Sequence, residues 1–281
     1  MKIIVTGGAG FVGSNLIKSL IKLEHEVVSV DDYSIGTKEN HLEGVVYHNL
    51  DINKIFSLQN DFDLVYHLAG LSRIQPSFTQ PSETFRANTC GVEAILEWAK
   101  EKKTKVVYSG SSSRHHDPYQ SPYAFYKYLG EEICRMYRKI YSLNIQIIRF
   151  YNVYGPNEIT EGDWAAVIGF WRNQVALGQP ITIVGDGEQR RDFTHVDDIV
   201  DGLIKIGFSE AHAEDAWELG SGKNYSLNEV YQMFKDRFGI DCSYIPNQNG
   251  NYRETLRENN LALEKLGWQP KDRLKSYIES L

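Results

Sequence analysis

Tyr123 and Lys127 stand four residues apart in SPYAFYKYLGEE, a stretch with helical character, so both side chains lie on one helix face. A free phenol has a pKa near ~10 and is a poor base at neutral pH. A neighbouring ammonium favours the phenolate, as does a cationic ring bound beside it, and the pair then becomes a proton-transfer site. The spacing alone is not distinctive, because Tyr231 and Lys235 repeat it in YQMFK. Only the first pair follows a serine run, SGSSS at Ser109–Ser113, at the end of the strand-like KVVYS. A hydroxyl from that run can share a substrate proton with Tyr123. The bland reading is a serine-rich turn that caps a strand. The second pair has no such serines and reads as a solvated helix face.

A second chemical signal is GGAGFVG at residues 7–13, which follows a strand and opens a helix. It satisfies G-x-x-G-x-x-G through Gly7, Gly10 and Gly13, and G-x-G-x-x-G through Gly8, Gly10 and Gly13, with Phe11 and Val12 between the last two. Such glycines allow a tight turn, close backbone approach to a pyrophosphate, and a helix packed hard against the strand. The helix N-terminus offers free N–H groups and partial positive charge to phosphate oxygens. Asp31 ends the next strand-like run, EVVSVDD, where an acid accepts hydrogen bonds from an adenosine ribose and repels a 2′-phosphate. The dinucleotide implied is NAD, not NADP. Asp32 reads more simply as the start of a turn.

These residues need elements to place them. The apolar runs Lys2–Thr6, Glu26–Val30, Leu64–His67, Lys105–Ser109 and Ile145–Arg149 read as buried parallel strands. Helical patterns at Gly13–Leu23, Thr84–Glu101 and Tyr123–Tyr141 alternate with them. Alternation of this kind implies an α/β fold, a Rossmann-type doubly wound parallel sheet, whose strand C-termini form one ligand edge. That edge carries Gly7–Gly13, Asp31, His67–Gly70, Ser109–Ser113 and Phe150–Gly155. After residue 156 the alternation loosens into a helix near Trp164–Leu177, a strand at Ile181–Val184 and a helix near Val196–Ile206. The expected division is residues 1–155 as an NAD-binding domain, with 181–208 returning to it. Residues 156–180 and 209–281 are expected to form a smaller C-terminal substrate-binding domain.

Bulk properties exclude other classes. The 281 residues carry a net charge of −7 and no basic run, which opposes nucleic-acid binding. No apolar stretch approaches the length of about 18 residues that a membrane span requires. The apolar start of MKIIVTGGAG is too short for a signal peptide. Cys90, Cys134 and Cys242 are odd in number and far apart, as expected for thiols of a reducing, cytoplasmic compartment. Neighbouring histidines in HHD at His115–Asp117, with no distant ligand set, imply no metal site.

Taken in order, GGAGFVG, VDD, LDI at Leu50–Ile52, HLAG at His67–Gly70, Asn88, SPYAFYK, RFYNVYGP, GDGEQRRDFTHVDD and LGWQP span nearly the whole chain. In this set the chain resembles the extended short-chain dehydrogenase/reductase family, in its nucleotide-sugar epimerase/dehydratase branch. The resemblance implies that Ser111 is the catalytic Ser/Thr position, with Tyr123 the base and Lys127 its partner. It implies cofactor contacts at Asp51, Ile52, Leu68, Ala69, Gly70 and Asn88, beside the glycine loop and the Asp31–Asp32 strand end. Asn152, Arg191 and Arg253 would hold the substrate diphosphate, for which the planar guanidinium fork is suited. Many relatives pair the helices near Thr84–Glu101 and Tyr123–Tyr141 across a homodimer interface, although Ile95, Leu96, Leu129 and Ile133 also suit the sheet.

The departures from that branch are informative. Dehydratases carry an Asp-Glu pair just after the catalytic Ser/Thr and decarboxylases a Glu, where this chain has Ser112 and Ser113. Simple 4-epimerisation of a nucleotide sugar is therefore expected over elimination or decarboxylation. Other reactions of a 4-keto sugar, and a non-catalytic NAD-binding sensor, are the alternatives. The stretch Arg114–Gln120 is short, and His115-His116 stand where Tyr-Gly is common. In QNGNYR, Gln248 replaces an arginine that commonly meets the diphosphate, while Arg253 remains.

Overall fold

Runs such as KIIVT and LVYH are apolar on both sides of the pleat, so as strands they need cover on both faces. The computed structural model describes all 281 residues, Met1–Leu281, and supplies that cover. Its strands are β1 (Lys2–Thr6), β2 (Glu26–Asp31), β3 (Val46–Asn49), β4 (Leu64–His67), β5 (Lys105–Ser111), β6 (Ile145–Phe150), β7 (Asn152–Tyr154), β8 (Ile181–Val184), β9 (Arg190–His195), β10 (Trp217–Leu219), β11 (Asn224–Ser226) and β12 (Cys242–Ile245). Its α-helices are α1 (Phe11–Lys22), α2 (Ile74–Thr79), α3 (Pro81–Phe85), α4 (Gly91–Lys102), α5 (Pro122–Tyr141), α6 (Val167–Ala176), α7 (Val196–Phe208), α8 (Leu227–Phe238), α9 (Leu261–Leu266) and α10 (Leu274–Ser280).

Seven strands form one parallel sheet in the order β10-β6-β5-β4-β1-β2-β3, the doubly wound arrangement expected from the alternation. The winding reverses between β1 and β4, and a crevice at such a switch point is where ligands bind in open α/β sheets. Alternate residues serve opposite faces. Ile4, Val28, Val65 and Val106 meet Val92, Ile95, Leu96 and Trp98 of α4 and Cys134 and Tyr137 of α5. Ile3, Val5, Val27, Leu64 and Tyr66 meet Leu16, Ile17 and Leu20 of α1 and Ile199, Leu203 and Ile206 of α7. Each fully buried aliphatic side chain contributes roughly 1.5–3 kcal/mol, so these two layers hold the ligand edge rigid.

A third core lies outside the sheet. Trp171 of α6, Ile181 and Ile183 of β8, Phe193 of β9, Val230 and Phe234 of α8, and Leu274 and Ile278 of α10 pack together. There β8 pairs with β12, and β9 joins β11 and β7. The segment 181–208, expected to return whole to the large unit, therefore divides. Its strand β8 lies in the small unit, while α7 covers the main sheet. The tail in turn donates β10 to the main sheet. Three residues with a glutamate in the middle, WEL, give no apolar run, and β3 (VYHN) is an exposed edge strand, so neither was legible as a strand. The helical pattern at Thr84–Glu101 resolves into α3, a π-turn at Arg86–Cys90, and α4.

Candidate active site

The glycine loop leaves β1 and enters α1 at the switch point. Gly7 has φ +71°, a backbone that favours glycine, and a Cβ there would stand 2.8 Å from the backbone N of Ala69. A Cβ on Gly13 would lie 2.1 Å from the Gly7 carbonyl oxygen, so helix and strand approach as closely as backbone permits. No side chain caps α1 at Gly10 and no acid stands in its first turn, so the N–H groups of Phe11, Val12 and Gly13 remain free. This cradle fits a pyrophosphate. Asp31, the last residue of β2, is buried and accepts from Ala9 N at 3.0 Å and Tyr33 N at 2.9 Å. Burial raises its pKa against those bonds. Its remaining lone pairs suit ribose hydroxyls. Asp32 is exposed and accepts from the backbone and hydroxyl of Ser34, so it shapes the turn.

The other cofactor-side residues lie around this edge. Leu68, Ala69 and Gly70 are half-buried at the end of β4. Buried Asn88, on the π-turn, accepts from Leu71 N and donates to Leu71 O, both at 2.8 Å, and so pins that strand-end loop. Single-turn π segments commonly mark functional positions, because the extra residue redirects a side chain. Asp51 accepts from Asn53 N at 2.9 Å and pairs with Arg86 at 3.4 Å, while Ile52 is buried against α4.

The proton-transfer residues come from two elements. Ser111 ends β5. Tyr123 occupies the first turn of α5, behind Pro122 and the cap Ser121, whose Oγ accepts from Ala124 N at 3.1 Å. The Tyr123 hydroxyl donates to Ser111 Oγ at 3.1 Å. Its backbone N donates to Ser77 Oγ of α2 at 3.1 Å, which locks the start of the helix. One turn on, Lys127 is buried and its Nζ donates to the Ser109 carbonyl at 2.9 Å, over the ring of Tyr108. Burial pushes the Lys127 pKa down to about 8. Burial raises that of Tyr123, opposed by the Ser111 hydrogen bond and by the charge of Arg73. Lys127 lies one turn from the phenol with its ammonium turned to the Ser109 carbonyl. The Tyr231 hydroxyl donates to the Ile240 carbonyl at 3.1 Å, a helix-surface contact remote from any serine turn.

The expected diphosphate residues separate. Asn152 opens β7, opposite Phe193 of β9, and accepts from Thr255 at 3.5 Å. Arg191 of β9 donates to the Arg190 carbonyl at 2.8 Å, and burial lowers its pKa to about 10. It forms no ion pair, so its guanidinium is open to an anion. Arg253 is 66% exposed on its side chain and is bound by Asp186 at 2.8 and 3.0 Å, outside that group.

Several neighbours escaped the sequence reading. Tyr252 stacks on His116, with ring centroids 3.9 Å apart, and its buried hydroxyl has no hydrogen-bond partner. His115 bridges Glu218 of β10 at 2.5 Å and Glu258 at 3.2 Å. Glu218, fully buried, also accepts from Tyr151 at 2.7 Å and Glu258 N at 2.8 Å. Burial raises its pKa, but these bonds hold it down to about 2. Arg73, three residues beyond Gly70, donates to Trp164 O at 2.9 Å and Ser72 O at 3.0 Å. A cation just after a strand end on the ligand edge was the one signal available for it.

Known proteins share this arrangement. The family described as the NAD dependent epimerase/dehydratase family matches residues 3–220. A UDP-glucose 4-epimerase of Mycolicibacterium smegmatis is 30% identical, over 96% of this chain and 94% of its own. The structure of a UDP-glucose 4-epimerase from Thermotoga maritima, with UDP-glucose, superposes with a TM-score of 0.91 at 28% identity, covering 99% of this chain and 96% of that one. The same TM-score, 0.91, is reached at 26% identity by a UDP-glucuronic acid 4-epimerase variant from Bacillus cereus, in complex with UDP-4-deoxy-4-fluoro-glucuronic acid and NAD, with 99% and 97% covered. A family match over more than half the chain, on a sheet whose switch point holds the glycine cradle, settles the kinship: this chain belongs to the NAD dependent epimerase/dehydratase family, whose cofactor is NAD.

Proposed function

We propose that the chain is an NAD-dependent nucleotide-sugar 4-epimerase that works through a 4-keto sugar. The observation that carries this reading is the 3.1 Å hydrogen bond from Tyr123 to Ser111 on the ligand edge beside the glycine cradle. Gly7, Gly10 and Gly13, with the N–H groups of Phe11 and Val12, would hold the cofactor pyrophosphate, and Asp31 the adenosine ribose. Lys127, with two N–H groups left beyond its bond to Ser109, would hold the nicotinamide ribose. When bound, NAD⁺ supplies a hydride acceptor and, once reduced, the donor that restores it. Tyr123 Oη takes the proton of the sugar 4-hydroxyl as C4 is oxidised, and Ser111 Oγ steadies the same oxygen. Asn152 and Arg191 anchor the diphosphate while the 4-keto sugar turns over. Tyr123 then returns the proton as hydride reaches the opposite face. Ser112 and Ser113, in place of acids, favour this over elimination or loss of carbon dioxide.

We read the chain as a cytoplasmic homodimer. Ile95 and Leu96 are buried in the core, but Met136, Ile140 and Tyr141 on α5 stay exposed for a second copy. The three cysteines are free thiols, as a reducing compartment requires, and no helix is long and apolar enough to cross a membrane.

The test is a turnover screen against UDP-, GDP-, CDP- and dTDP-sugars, with products identified by NMR and NADH absorbance followed. Inverted sugar without net NADH is the expected result. Tyr123→Phe is expected to lower kcat by about 10²–10⁴-fold while NAD stays bound. Net NADH, released carbon dioxide, or retained activity in the variant would refute the mechanism.

A further inference from the structure

The turn that follows Ser111 is anchored residue by residue to other parts of the molecule. Arg114 pairs with Glu132 of α5 at 2.8 Å and lies over the ring of Tyr128, 4.1 Å from its centroid. His115 reaches Glu218 of β10 through Nε2 at 2.5 Å and Glu258 of the tail through Nδ1 at 3.2 Å. His116 stacks on Tyr252 with ring centroids 3.9 Å apart. None of the three is hydrogen-bonded to Ser111 or Tyr123. The stretch is also the short one in which His115-His116 stand where Tyr-Gly is common.

What this turn controls is the direction of one proton. Strand β5 fixes the backbone of Ser111, which pairs with Phe150 of β6. Its hydroxyl still rotates to suit its partners. Two donors remove that freedom: Tyr123 Oη at 3.1 Å and Ser113 N at 3.2 Å both donate to Ser111 Oγ. Both lone pairs are then occupied, and the Ser111 proton, which no protein group accepts, takes the remaining direction. That direction depends on where Ser113 N sits, and therefore on the 3₁₀ turn Ser112–His115. Short 3₁₀ turns have poor internal hydrogen-bond geometry, so anchors from outside must hold them. His115 has a firm base for this. Glu218 is fully buried and is fixed by Arg149 at 3.3 Å, Tyr151 at 2.7 Å and Glu258 N at 2.8 Å. The imidazole turns one nitrogen to each acid, so a single flat ring ties the turn to the sheet edge and to the tail.

We propose that His115 is a positioning residue for the proton transfer: by clamping the Ser112–His115 turn between Glu218 and Glu258, it holds Ser113 N on Ser111 Oγ and aims the Ser111 proton at the oxygen that Tyr123 serves. The proposal rests on the epimerase reading for its reaction, although the clamp acts on Ser111 with or without a sugar bound. Loss of His115 leaves Glu218 with its three other donors, so the sheet edge stays built.

The experiment replaces His115 in the NAD-loaded protein and asks whether the effect passes through Ser111. His115→Phe keeps a flat ring and removes both nitrogens. It is expected to lower kcat about tenfold, the scale of a small misplacement at the reacting centre, with KM and the melting temperature little changed. His115→Gln keeps an N–H for Glu218 and is expected to recover part of the loss. In a Ser111→Ala background, His115→Phe is expected to cost nothing further, because residues that act through one group do not add. Additive losses overturn the proposal, as does a raised KM at unchanged kcat. The same coupling is read without turnover by ¹³C-tyrosine NMR, with the Tyr123 signal assigned by its loss in Tyr123→Phe. The Ser111 hydrogen bond lowers the Tyr123 pKa, so His115→Phe is expected to move this titration to higher pH, as Ser111→Ala does. An unmoved titration overturns the role of His115. Turnover of no sugar donor counts against the epimerase reading alone, and the titration then decides the role of His115.

Discussion

At the Ser111–Tyr123 contact, burial and hydrogen bonding pull the phenol in opposite directions. Burial raises the Tyr123 pKa, while Ser111 and the charge of Arg73 lower it. Only the deprotonated phenol accepts a proton, so whatever raises its pKa moves the rising limb of the pH–rate profile to higher pH. Ser111→Ala removes one of the two opposing influences. The limb of kcat/KM is expected to shift alkaline and the rate at neutral pH to fall, as measured by a pH profile with the best sugar donor. An unmoved limb would show that Ser111 does not tune the base. Tyr123 and Lys127 were evident from their spacing. The charge of Arg73 that acts on the phenol was not, because Arg73 lies 50 positions earlier in the chain, at the N-cap of α2.

Among the elements, β10 shows how a buried charge can build a sheet edge. Its Glu218 is fully buried and meets His115, Arg149 at 3.3 Å, Tyr151 and the backbone of Glu258. It thereby ties the turn after Ser111 to the sheet and to the tail. Its folded pKa of about 2 lies below the ordinary 4.5. The stability it contributes is therefore complete above pH ~4.5 and is lost as pH falls toward 2. Glu218→Gln removes one of several anions in this cluster, since Arg149 keeps Glu131 and Asp215, each at 2.9 Å, and His115 keeps Glu258 at 3.2 Å, so the expected cost is that of a charge-assisted hydrogen bond, about 1.5–3 kcal/mol. Thermal melts at pH 7 are expected to show a clear fall in Tm that narrows below pH ~4.5. A gap that is constant with pH would mean that the carboxylate charge is not what stabilises this edge.

For the whole molecule, the tail acts as a strap between the two units. Gln75 of α2 donates to Asn249 O at 2.8 Å, and Gly250, with φ +75°, passes close to Ile74 and Gln120. Arg190 and the 253–255 backbone exchange bonds of 2.9 and 3.1 Å, and Asn15 of α1 donates to Pro156 O at 2.9 Å. These links couple the third core to the sheet. Trp171→Ala, in that core, is expected to cost about 3–5 kcal/mol and to lower a single unfolding transition, read by calorimetry. A second, separate transition would show that the small unit unfolds independently.

What the sequence determined by itself was everything governed by local spacing: the apolar runs, the glycine loop, Asp31, and the Tyr123–Lys127 pair. These depend on period-2 and period-3.6 patterning and on short-range turn chemistry, which neighbouring residues dictate. The tertiary structure alone decided which distant residues share the cleft. It bound Arg253 to Asp186 on the surface, left Arg191 unpaired, and sent β8 to the small unit and β10 to the main sheet. It also docked the start of α5 on α2 through the Tyr123–Ser77 hydrogen bond. Those outcomes follow from which charges find partners once the chain is closed, and a linear pattern carries no record of that pairing.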